Sequence, residues 1–357
     1  MSTVVALDIG SSSLAGAELR SSRDRSSLAR AAVETIPEGL VADGEVVQPD
    51  VLAGHIKRFW KANGFSGRRV RLGVANQRVV VRTIELPAID DPDERRTAVE
   101  FEAAEHIPIP PDQTILDYHS VLRYDDATGR RERVVVVAAH REMVAGIVAA
   151  TRKAGLTPVG LDLEAFALLR ALLPLPSVVD EGSQDASAQA VCHIGASMTN
   201  VIVALERRCQ FTRLVGFGGD QLSRAVAERT GLPFAEAEAM KQACGLLGES
   251  LDGWDVEMVG EVRHALAVGA RPLLQEIRRS LDYYRSQAFA RPIDRLVLSG
   301  GTSLCAGLDR YLQQALGLRV VVGDPLMHLD PAAQVAPDVA VRAAVAVGLA
   351  LDAPEDS

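Results

Sequence analysis

Two short stretches carry residue types that could hold an anion. Asp8-Ile9-Gly10-Ser11-Ser12-Ser13 combines a carboxylate, a glycine and three hydroxyls at the end of the apolar run Val4-Val5-Ala6-Leu7. His193-Ile194-Gly195-Ala196-Ser197, followed by Thr199, repeats the layout 185 positions on (193 against 8). Each copy reads as strand, small-residue turn, strand. Two such turns facing each other would offer backbone N–H groups and hydroxyls to a phosphate-like ligand. A third string, Leu298-Ser299-Gly300-Gly301-Thr302-Ser303, reads as a buried strand, a glycine pair and a helix start. Glycine there lets backbone approach a ligand closely, and the helix end favours negative charge. His193 has no Ser and Asp partners at a spacing that would make it a general base.

These stretches need a scaffold, and the chain supplies one of alternating type. Strands are expected at 4–7, 14–19, 70–74, 79–86, 115–122, 134–139, 157–161, 190–205, 296–298 and 320–322. Helices are expected at 50–63, 92–106, 141–154, 162–173, 220–230, 233–243, 257–287 with a break near Pro272, 303–316 and 337–351. Alternation of this kind implies an α/β fold. Residues 77–154 form a compact strand-helix-strand-strand-helix unit that could be an insertion, and the polar, acidic 176–189 reads as a linker.

Composition narrows the function. The 357 residues are 48% hydrophobic and 24% charged, with net charge −9, ordinary for a folded chain of two or three domain-sized units. No basic block exists, which argues against nucleic-acid binding. Cys192, Cys209, Cys244 and Cys305 lack zinc spacing and read as buried thiols of a reducing compartment. No apolar run is long enough to span a bilayer, so a cytoplasmic protein, reaching a membrane only through a partner, is expected.

The two hairpins, the Ser-Gly-Gly string and two helices that follow strands (163–171 and 344–351) resemble the five nucleotide-site motifs of the actin-like ATPase superfamily. Within it, the chain resembles the type IV pilus assembly protein PilM family over nearly its whole length. Three strings carry this: 100–110 (EFEAAEHIPIP), 156–167 (LTPVGLDLEAFA) and 277–287 (IRRSLDYYRSQ). The resemblance implies two ribonuclease-H-like lobes with an FtsA-type insert. The first lobe would span 1–76 and 155–175, with 337–352 packing back, and the insert 77–154. The second lobe would span 190–336, with a smaller subdomain near 221–290.

It also implies ATP and Mg²⁺ as ligands. Asp8, Gly10, Ser11, Ser12 and Ser13 would form the first phosphate loop, with Asp8 holding Mg²⁺ through water. Gly195, Ala196, Ser197 and Thr199 would form the second. Gly218, Gly219, Glu238 and Lys241 would line the ribose side, and Gly300, Gly301 and Thr302 the adenosine side. Glu164 is the one candidate to orient a water.

Two departures matter: His193 stands where the superfamily has an Asp, and Ala15 where it has a Lys. A missing carboxylate and ammonium should hurt hydrolysis more than binding, so a scaffold with weak or absent ATPase activity is expected. The implied partners are the N-terminal cytoplasmic peptide of PilN and the pilus alignment complex, with self-association possible. Phe101, Ile107 and Pro108 are candidate walls of the peptide groove. The competing readings are an FtsA-like division component, a small-molecule kinase, and a type II secretion protein of similar fold.

Overall fold

The structure, a computed structural model, describes residues 2–22, 25–127, 129–175, 187–247, 254–330 and 334–351. The chain opens with β1 (Ser2–Ile9), β2 (Ser13–Ser22), β3 (Arg25–Thr35), the short pair β4 (Val41–Ala42) and β5 (Glu45–Val46), α1 (Pro49–Ala62) and β6 (Arg69–Val74). Next come β7 (Val80–Pro87), α2 (Pro92–His106), β8 (Thr114–Asp126), β9 (Gly129–His140), α3 (Arg141–Lys153), β10 (Thr157–Leu163) and α4 (Glu164–Leu172). The second half has β11 (Ala188–Ile194), β12 (Thr199–Leu205), β13 (Arg208–Val215), α5 (Gly219–Thr230), α6 (Phe234–Cys244) and α7 (Val256–Arg285). It ends with β14 (Ile293–Ser299), α8 (Leu308–Leu316), β15 (Arg319–Val322), α9 (Pro337–Arg342) and α10 (Ala344–Ala350).

The strands form two five-stranded sheets of one topology. The first runs β10-β6-β1-β2-β3 and the second β15-β14-β11-β12-β13. In each, an antiparallel hairpin is extended by strands parallel to its first member. The repeat expected from the two glycine turns therefore extends to whole lobes, including third strands β3 and β13 that sequence reading did not anticipate. Both are rich in Arg, Ser and Thr, and the outer strand of a sheet has no need for a continuous apolar run.

Alternation sends each strand's residues to two cores. Ala190, Cys192 and Ile194 face α5–α8, while Val191 faces the other lobe. Between the sheets lies one seam, built from Ala15, Ala17 and Leu19 of β2, Ile202 and Ala204 of β12, and the small-residue helices α4 and α10. A Cβ on Gly348 of α10 would fall on the carbonyl of Ala167 in α4, so glycine there sets how closely these helices cross. The outer face of the first sheet is covered by α1, through Leu52, Ile56 and Phe59, and by α3, through Met143, Ile147 and Ala150.

That last placement refines the insert. Sheet β7-β9-β8 and α2 share their own core of Ile84, Val99, Ala103, Ile107, Val134 and Val136. Helix α3, grouped with them in the sequence, instead packs in the first lobe.

Three helix expectations change as well. Helix α7 runs unbroken through Pro272, which lies on its exposed face. Solvent there can take up the carbonyl that the proline leaves unpaired. After Gly300 comes a single 3₁₀ turn, Gly301–Leu304, and α8 starts only after Gly307. The C-terminal helix is two, α9 and α10, parted at Ala343. Most of the expected linker (176–186) lies outside the described residues. Among those described, no helix is long and apolar enough to cross a membrane.

Candidate functional site in the cleft

The two turns are built alike. Gly10 N–H donates to Ser13 O, and Gly195 N–H donates to Met198 O, each at 2.9 Å. The strand register is duplicated too: Asp8 sits opposite Ala15 and His193 opposite Asn200. The turns meet across the cleft, where Ser197 Oγ donates to Ser11 Oγ at 2.9 Å. Ser12 and Ser13 sit half-buried on the same first turn.

The floor carries the titratable groups. Asp8 Oδ1 is enclosed and has no hydrogen-bond partner. Burial pushes the Asp8 carboxyl up from 3.8 to about 7, with the Ile9 backbone N–H opposing. Glu164 heads α4 and is also raised well above its usual value, first by burial and then by the charge of Asp8. The sequence named both residues singly; the fold makes them a carboxylate pair that shares its charge poorly. His193 is held neutral, its pKa lowered by burial to about 4, and its Nδ1 lies 3.3 Å from Ser299 Oγ. Ser299 was not anticipated as its partner.

A hydrated divalent cation fits this floor: an orphaned oxygen and a repelling carboxylate pair both gain from positive charge. Among the described residues no three metal-ligating side chains converge. Mg²⁺ keeps most of its waters and takes one or two carboxylates, the number that Asp8 and Glu164 offer. Asp8 and Glu164 would hold those waters, and the metal would supply charge neutralisation for phosphate oxygens.

The other wall is made of close backbone packing. Gly219 and Asp220, heading α5, donate their N–H groups to the carbonyls of Gly195 and Ala196, both at 2.9 Å. A Cβ on Gly218 would strike those carbonyls, and one on Gly219 would strike Thr302 Oγ1. Thr302 Oγ1 in turn donates to Gly195 O at 3.0 Å. Gly300 has φ +85°, and a side chain there would run into Ile194. Gly301 follows beside Arg342.

Lys241 is buried, with its Nζ 2.6 Å from Glu238 Oε2 and 3.1 Å from Gly219 O. Burial pushes Glu238 up, but Lys241 and the Ser223 hydroxyl draw it below its usual value. Asp220 is raised by burial, partly offset by Lys241. The second loop, the glycine pair of 218–219, the 300–302 turn and the Lys241–Glu238 pair are thus one cluster. The helix-end argument for 300–303 does not hold, because a single 3₁₀ turn has little dipole to offer.

A separate groove of about 250 Å³ opens where the insert joins the lobes. Residues 74–77 and 79–82 form one side, Leu163 and Ala165 the base, and Asn200 with Thr212, Arg213 and Leu214 the other side. It lies between β7 and β13, each the outermost strand of its sheet. The candidate groove residues lie elsewhere. Ile107 is buried in the insert's own core, while Phe101 and Pro108 are exposed on or just after α2. The I-P-x-P string at 107–110 marks the end of α2. The walls of the 250 Å³ groove come from distant segments and carried no local signal.

The comparisons agree with this architecture. A solved PilM–PilN type IV pilus biogenesis complex has a chain 28% identical to this one, covering 98% of this chain and 97% of that chain, with a TM-score of 0.80. The ethanolamine utilization protein EutJ of Carboxydothermus hydrogenoformans shares the fold at 16% identity, TM-score 0.55, over 98% and 90% of the two chains. MreB 5 of Spiroplasma citri, solved bound to AMPPNP, shares it at 12% identity and TM-score 0.51, over 97% and 94%. The cell division protein FtsA of Streptococcus pneumoniae serotype 2 (strain D39 / NCTC 7466) is 25% identical over 166 residues, 43% of this chain but only 35% of that protein. The family described as "Type IV pilus assembly protein PilM" matches residues 6–353. With its two duplicated lobes and inserted subdomain, this chain belongs to the PilM family of type IV pilus assembly proteins.

Proposed function

We propose that this protein is a nucleotide-binding scaffold at the cytoplasmic base of the type IV pilus machine. It binds the N-terminal cytoplasmic peptide of a PilN-type membrane protein, and through it joins the alignment complex at the inner face of the membrane. The observation that carries this reading is the whole-length likeness to the PilM of a PilM–PilN complex. The groove between β7 and β13 supports it, because an extended peptide can pair with an outermost strand while its side chains fill pockets.

ATP with Mg²⁺ occupies the cleft. The paired glycine turns, the Asp8–Glu164 floor and the Lys241–Glu238 wall support that assignment. Hydrolysis is weak or absent, since a neutral His193 brings no negative charge to the second turn. The test is titration of the full chain with a labelled PilN N-terminal peptide and, separately, with ATP–Mg²⁺. Absence of peptide binding would sink the scaffold reading, and steady phosphate release at turnover rates typical of kinases, about 1–100 s⁻¹, would sink the claim of weak hydrolysis.

A further inference from the structure

The insert is tied to the rest of the chain at one end only. It has its own sheet and its own core. The chain enters it between β6 and β7 and leaves it between β9 and α3. Val80, which opens β7, pairs with Ala138 near the end of β9, so both connections leave from the same edge. That edge borders the groove, which residues 75–77 and 79 line.

The other end of the insert rests on the second lobe. Farther along β7 and β13 the space between them is only about 10 Å³. There Thr83, Arg133 and Val135 of the insert face Cys209, Gln210 and Phe289 of the second lobe. The Arg133 guanidinium lies 5.8 Å from the centre of the Phe289 ring, close enough for a cation–π contact. Both partners are held in place. Arg133 Nη2 and Nε donate to Glu85 Oε1 at 2.7 and 3.2 Å, and the same guanidinium stands 5.8 Å over the Tyr124 ring. Phe289 sits edge-on to the buried Tyr284 at 6.4 Å, whose hydroxyl accepts from the Arg291 N–H at 2.9 Å. In the sheet Arg133 is opposite Glu85, five residues along β7 from Val80 (85 against 80). The contact therefore lies about 17 Å from the connected end.

We propose that the Arg133–Phe289 contact is a latch that holds the insert against the second lobe, and that it parts whenever an extended peptide enters or leaves the groove. The inference rests on the groove assignment made above. With the connections at one end and the latch at the other, the groove lies between a hinge and a clasp. Parting the clasp lets the insert swing about 75–79 and 140–141, which separates β7 from β13 and frees the groove along its length. Closing it again traps the peptide. Entry and exit pass through the same open state, so weakening the latch speeds both and leaves affinity nearly unchanged. A side chain that touched the peptide would instead change dissociation and affinity together.

The experiment uses the full chain and a fluorescein-labelled peptide of the N-terminal segment of the same organism's PilN-type protein, mixed by stopped flow. Association and dissociation rate constants are measured for the wild type, Phe289→Ala, Arg133→Gln, the double variant and Phe289→Tyr. In each of the first two variants both constants should rise about two- to fivefold, the worth of one cation–π contact at a partly exposed site, with the dissociation constant within about twofold of the wild type. The double variant should be no faster than either single one, because the contact can be lost only once. Phe289→Tyr keeps the ring and should keep the wild-type rates.

Unchanged rates in Phe289→Ala overturn the latch and leave the scaffold reading standing. So does a rise in dissociation alone, or a double variant whose two effects multiply. A peptide that does not bind the wild type overturns both.

Discussion

Replacing Asp8 by Asn should make the unliganded protein more stable at neutral and alkaline pH, and by an amount that grows with pH. In the native state the Asp8 carboxyl titrates near 7; unfolded, it titrates near 3.8. Between those values the folded protein keeps a proton that the unfolded chain has released, so stability falls as pH rises through the window. Each unit of difference is worth about 1.4 kcal/mol, which gives about 4 kcal/mol over the full window. Asp8 is only half-buried by area, and water reaching it would bring the expected loss to about 2–4 kcal/mol.

His193 acts in the opposite sense. Its native pKa of about 4 against an ordinary 6.5 means that stability falls as pH drops below 6.5 toward 4. The two slopes largely cancel between pH 4 and 6.5, so the wild-type curve alone would mislead. The useful quantity is the difference between Asp8→Asn and wild type. Urea unfolding of both proteins at half-unit steps from pH 4 to 8.5 measures it. The difference should be near zero at pH 4 and should favour the variant by about 2–4 kcal/mol at pH 8. Parallel curves would refute the claim that Asp8 is an uncompensated carboxylate on the cleft floor.

Three further substitutions probe the rest of the site. His193→Asp restores a carboxylate to the second turn; calorimetry should show ATP binding that depends on Mg²⁺ at least about tenfold more strongly than in the wild type, and an unchanged dependence would mean that the second turn does not face the metal. Lys241→Met leaves Glu238 without its cation, which should cost on the order of 2 kcal/mol and weaken mant-ATP binding; unchanged urea midpoint and affinity would remove Lys241 from the cleft wall. Gly348→Ala drives a methyl onto the Ala167 carbonyl and should cost about 3 kcal/mol in denaturant unfolding; a wild-type midpoint would mean that α4 and α10 have room to spare.

Much of this was legible in the residues. The glycine turns declared themselves because a tight turn between buried strands needs small residues at fixed places, and a copy 185 positions on (193 against 8) is hard to miss. Helix α2 was legible to its ends, since Asp91 caps it, accepting from the N–H groups of Asp93 and Glu94, and Pro108 keeps it from running on past Ile107. Strands β3 and β13 were not, because Arg25-Ser26-Ser27 and Arg208-Cys209-Gln210 look like loop. The pairing of Asp8 with Glu164 was also hidden: the two lie far apart in sequence, and only the parallel neighbours β1, β6 and β10 bring α4 back over the first hairpin. The groove was least legible, since its walls come from β6–β7, β10–α4, β12 and β13, and no short string marks it.

The duplicated turns also bear on direction. A cradle made of two like halves would, by itself, receive a chain of phosphates equally well in either sense. The chemistry breaks that tie: one half carries an acidic pair at Asp8 and Glu164, and the other a neutral imidazole at His193 and an amide at Asn200. A cation-bearing end of a polyphosphate is drawn to the first half and has nothing to gain at the second. With a carboxylate pair on one side only, a nearly symmetric fold has a single polarity.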